Sequence, residues 1–111
     1  MRSARFLSLL SQQPENELFR FSLGQALLEE GRPADAIPHL ERCAAGRADW
    51  MVPRILLGKA LLASRDIEAA QPVLTEALNL AIMQHHEAPE AELRALLADL
   101  PAGNDPGGDR A

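Results

Sequence analysis

The chain has 111 residues, 47% of them hydrophobic, and a formal net charge of −5, enough for one small core but without the basic patch that a nucleic-acid surface needs. Its single cysteine, Cys43, excludes an internal disulfide and suits a reducing compartment. No window approaches membrane-spanning length, and Phe6-Leu7-Ser8-Leu9-Leu10 is too short and too interrupted for a signal peptide, so a cytoplasmic protein without membrane association is expected.

In chain order, the apolar segment Phe6-Leu7-Leu9-Leu10 comes first. A helical hairpin follows that breaks at Glu30-Gly31-Arg32, where Gly31 suits a left-handed helix end and Pro33 suits the first turn of the next helix. The link Gly46-Arg47-Ala48-Asp49 leads to a second hairpin, with Asp49 as the expected cap, Pro53 in the first turn and Trp50 as a staple between hairpins. The second hairpin breaks at Ser64-Arg65-Asp66, where Asp66 can cap a helix running to about His85. Pro38 and Pro72 fall inside predicted helices, near enough to their starts to be tolerated. Pro89 opens a last helix, Glu90 to Leu100, with Ala91, Leu93, Leu96, Leu97 and Leu100 near one stripe. Residues 101–111 have almost nothing to bury and read as a disordered tail.

The two hairpins are copies. Leu23-Gly24-Gln25-Ala26-Leu27-Leu28 recurs thirty-four residues on as Leu57-Gly58-Lys59-Ala60-Leu61-Leu62, and at the same offset Arg20 matches Arg54, Ala36 matches Ala70, Pro38 matches Pro72 and Leu40 matches Leu74. These nine identities exceed the roughly three or four that so Ala- and Leu-rich a chain gives by chance. Small residues at Gly24, Ala36, Gly58 and Ala70 let two helices approach closely, and a mid-helix glycine, about 1 kcal/mol worse than alanine, needs such a reason.

Spacing and residue types resemble the tetratricopeptide repeat. Arg20-x2-Leu23-Gly24-x2-Leu27 with Ala36-x3-Leu40, and Arg54-x2-Leu57-Gly58-x2-Leu61 with Ala70-x3-Leu74, keep its small and aliphatic slots, while Arg and Leu replace its aromatic ones. The resemblance implies an all-α, right-handed α-solenoid with a half-repeat at 1–16, repeats at 17–50 and 51–84, and a capping helix at 89–100. It further implies a small, stand-alone bacterial protein whose function is protein–protein interaction, with a concave groove lined by the first helix of each repeat. That groove would hold Leu18, Phe21, Gln25 and Leu28, then Val52, Ile55, Lys59 and Leu62. It is mostly apolar and has no Asn for a carboxylate clamp, so an apolar peptide or helix segment fits it best, with Phe21 and Ile55 as anchors and Gln25 and Lys59 as polar orienters. The capping helix, or a second copy in a homodimer, is the alternative cover.

Catalytic signals are sparse. His85, His86, Glu87 and Glu90 form the one cluster suggesting a metal-assisted hydrolase, and of these His86 and Glu90 have helical ligand spacing, but Pro89 between them is expected to break the helix the pairing requires. No phosphate-cradling loop, cofactor motif or paired-cysteine motif occurs, and the chain reads as a non-enzyme without a cofactor. Cys43 stands opposite Ala77 as a buried small hydrophobe, His39 stands opposite Val73 as a surface residue, and Arg20 and Arg54 are expected to pair with Glu17 or other carboxylates.

Overall fold

A computed structural model describes residues 1–101, and among these it contains six helices and no strand. They are α1 (Arg2–Gln12), α2 (Glu17–Glu29), α3 (Pro33–Gly46), α4 (Met51–Ala63), α5 (Ile67–Met83) and α6 (Glu87–Ala98). Each packs chiefly on its neighbours in the chain, so the body is elongated, with extents of 53 × 29 × 20 Å. This is the expected all-α solenoid, in which α2–α3 and α4–α5 are the two hairpins. The expected tail, apart from Pro101, lies outside the described residues.

The helix starts follow from caps and prolines. Asn16 Oδ1 accepts the backbone N–H of Phe19 at 3.0 Å, and Asp66 Oδ1 accepts that of Ala69 at 3.2 Å. Asp49, the expected cap of α4, does not cap it. That helix is capped by Trp50 without a side-chain bond, and Asp49 instead accepts Gln84 Nε2 on its backbone oxygen at 2.9 Å. Proline explains the shift. Only the first three helical N–H groups lack an intrahelical partner, and starting at Met51 puts Pro53 third, where no bond is lost. The same rule moves the last helix. It begins at Glu87 rather than Glu90, with Pro89 third, so Pro89 lies within the helix and the break falls at residues 84–86.

Three helix ends share one geometry. Gly31, Arg65 and His85 have φ of 77°, 67° and 59°. In each case that residue's N–H reaches back three residues, to Leu28, Leu62 and Ile82, while the next N–H reaches back five, to Leu27, Leu61 and Ala81. This is the Schellman closure, in which a left-handed residue lets two N–H groups satisfy the last carbonyls.

Inside each hairpin the glycine slot receives a leucine. A Cβ on Gly24 would lie 2.9 Å from Leu40 Cδ2, and one on Gly58 would lie 2.7 Å from Leu74 Cγ with Cδ2 closer still. Both leucines are fully buried, as are Ala36 and Ala70. From these interlocks the core runs as a string from Leu10 to Leu93. Glu30, at the end of α2, fixes α1 by accepting Ser3 N–H at 3.0 Å and Ser3 Oγ–H at 2.6 Å, and these bonds hold its carboxyl below the usual range.

Candidate functional site

The faces of α2 and α4 carry the eight groove residues expected from the sequence. Leu18 and Val52, equivalent by the repeat offset, are 64% and 42% exposed. Phe21, Leu28 and Leu62 are half-buried and pack against the core, while Gln25 and Lys59 are also half-buried. Ile55 is only 7% exposed and belongs to the core, so little of it can meet a partner. Lys59 Nζ makes an ion pair with Glu92 of α6 at 2.6 Å. The last helix thereby ties to one polar orienter, and it packs against α5 through the fully buried Leu93.

Trp50 joins the hairpins as a staple. Its ring lies 5.2 Å from that of Phe21, tilted by 42°, and the Arg47 guanidinium lies 5.0 Å from the Trp50 ring centroid, within cation–π range. Phe21 is therefore already half engaged before any partner arrives.

The repeated arginines take partners that the sequence reading missed. Arg20 Nη2 donates to the Pro14 carbonyl at 3.1 Å, and Arg54 Nη1 donates to the Ala48 carbonyl at 2.9 Å, the same six-residue step backwards in both repeats. Each arginine thus ties its helix to the link that precedes it. Among the described residues Glu17 is not the partner of Arg20, and of the two arginines Arg54 alone reaches a carboxylate, Glu76, at 3.6 Å. The signal was there in the matched Arg slots, but a carbonyl partner leaves no trace in residue type.

His39 is half-buried rather than on the surface, with Nδ1 3.3 Å from Arg20 Nη1. Burial, then the Arg20 charge, lower its pKa below the ordinary 6.5, against an opposing pull from Asp35. The arginine N–H must donate, so Nδ1 is the acceptor and the imidazole proton sits on Nε2. Cys43 is buried where Ala77 stands in the other copy, and burial pushes its thiol up to about 11. At neutral pH it is a protonated small hydrophobe.

His85 and His86 occupy the turn before α6, His85 with its left-handed φ and His86 as N-cap, while Glu90 makes an ion pair with Arg94 at 2.9 Å. Among the described residues, no group of three or more His, Cys, Asp or Glu is placed to hold a metal ion, and no helix is long and apolar enough to cross a membrane.

The chain is 30% identical over 92 residues to a TPR repeat-containing protein of Pseudomonas aeruginosa, an alignment covering 83% of this chain and 88% of that one. The chain belongs to the tetratricopeptide-repeat family. A solution structure of a protein from Bordetella parapertussis superposes with a TM-score of 0.78 at 28% identity, covering 95% of this chain and 90% of that one. A tetratricopeptide repeat domain protein from Salinibacter ruber shares the fold with a TM-score of 0.72 at 17% identity, over 88% of this chain and 98% of that one. No protein-family model matches the sequence.

Proposed function

We propose that this tetratricopeptide-repeat protein is a non-catalytic binding module that holds an apolar peptide or helical segment of a partner protein against the α2–α4 face. The observation that carries this reading is the pair Leu18 and Val52, two aliphatic side chains left exposed to water at equivalent positions of both repeats. Burying each would contribute on the order of 1–2 kcal/mol, which gives an incoming apolar segment two anchors one repeat apart. Phe21, Leu28 and Leu62 supply the partly covered floor between them, Ile55 supports it from below, and Gln25 and Lys59 offer polar contacts along it.

Leu18→Glu and Val52→Glu test this, because both sites are exposed and the variants should melt within about 0.5 kcal/mol of wild type. The expected result is that immobilised wild-type chain captures a partner protein that neither variant captures, with all three chains monomeric by light scattering. A wild-type dimer that both substitutions dissociate would reassign the face to self-association. Capture that survives both substitutions would exclude this face.

A further inference from the structure

A cleft of about 370 Å³ opens between α1, α2 and α3, away from the groove residues. The edges of the core residues Leu23 and Leu27, 2% and 5% exposed, close its base, Leu7 stands at its mouth 56% exposed, and Arg32, Asp35 and His39 line its polar side. Its origin is visible in the repeat. At the thirty-four-residue offset, Ser3, Asp35 and His39 correspond to Ile37, Ala69 and Val73, three apolar residues packed against the core. The α1–α2–α3 layer thus carries two small or short polar groups and an imidazole where the equivalent α3–α4–α5 layer carries packing, and the volume lies in the range of about 300–1,000 Å³ typical of small-ligand sites.

The polar side offers donors. His39 Nδ1 is taken by Arg20, which leaves Nε2–H for a ligand. Arg32 uses Nε and Nη2 on Asp35 Oδ2, at 3.0 and 2.9 Å, so that carboxylate is neutralised while the guanidinium keeps further N–H groups. Two helices also begin here, α1 after Met1 and α3 after Arg32, and their N-terminal dipoles favour negative charge. That preference is already exercised beside the cleft, where the Glu30 carboxylate sits on the first turn of α1.

We infer that this cleft binds a small monocarboxylate with an aliphatic body, the tail lying along Leu7 over the edges of Leu23 and Leu27 and the head accepting from His39 and Arg32. The test is an amide NMR titration of the full chain with octanoate, and with octylamine as the same tail bearing the opposite charge. Saturable shifts at Leu7, Leu23, Leu27 and His39 are expected with octanoate, at an affinity at least tenfold above that for octylamine. The cleft-filling variant Ser3→Ile/Asp35→Ala/His39→Val, which places at each position its counterpart thirty-four residues on, should bind octanoate at least tenfold more weakly. Should that variant fail to fold, Leu7→Glu, at the exposed mouth, carries the same expectation. Shifts scattered over the surface, equal binding of octylamine, or binding retained in the folded variants would overturn the inference.

Discussion

The two hairpins share a backbone plan but close it with different residues. In the first, the left-handed position after α2 is Gly31, which adopts positive φ without steric cost, and α3 stops at Gly46 so that a four-residue link can carry Trp50 to Phe21. In the second, the same position is Arg65, α5 runs to Met83, and the link that follows shortens to three residues. The interlock differs too, since Leu74 sits closer to Gly58 than Leu40 sits to Gly24. The second hairpin is tighter at its interlock and more strained at its turn, so a family repeat sets which contacts are made while individual residues set their cost.

The largest expected effect is at the interlock. Leu74→Ala should destabilise by about 2–5 kcal/mol in chemical denaturation, as for other buried leucines. Gly58→Ala should cost about 1–2 kcal/mol, being overpacking against a leucine with no room to swing, less the gain in helix propensity, and Gly24→Ala should cost less. In a Leu74→Ala background Gly58→Ala should turn stabilising. Additive behaviour in that double-mutant cycle would show that the glycine and leucine do not interlock. At the turns, Arg65→Gly should stabilise by about 1 kcal/mol through relief of the left-handed backbone, and Gly31→Ala should destabilise by a similar amount.

Gly46→Ala should be neutral or stabilising by a few tenths of a kcal/mol, because its Cβ would meet only the flexible end of Glu17, Oε2 at 2.9 Å. The folded pKa of His39 is lowered, so the unfolded chain takes up the proton first, and the stability held by the neutral imidazole is complete above about pH 6.5 and falls as pH drops toward the folded value. His39→Val, which copies Val73, should flatten the dependence of the melting temperature between pH 7 and 5, and an unchanged slope would reject that assignment.

Much of this fold was legible because identities at a fixed offset report a repeated contact, and the Gly24–Leu40 and Gly58–Leu74 slots, Gly31 and Asp66 stand where the spacing puts them. The helix starts at Met51 and Glu87 were harder, since a proline marks a first turn without saying which of its three tolerant positions it occupies. Arg20 and Asp49 were misread, and for Arg54 only the carboxylate partner was legible, for another reason. Their partners include backbone carbonyls or side-chain amides, which sequence pattern does not encode. The groove residues are nameable from the repeat, but their accessibility depends on helix rotation by a few tens of degrees, and this separates exposed Val52 from buried Ile55 only three residues away. The cleft at Leu23 and Leu27 has no motif, and it emerges only when each residue of one repeat is compared with its counterpart in the other.

Because each helix rests mainly on its chain neighbours, almost every stabilising contact closes a short loop of chain. Such contacts carry little closure entropy, so the chain should collapse within milliseconds and need no distant segment to nucleate. The same arrangement makes opening graded: among the described residues α1 and α6 each pack chiefly on one neighbouring helix, and their amides should exchange with deuterium well before those of α3 and α4, which are clasped from both sides.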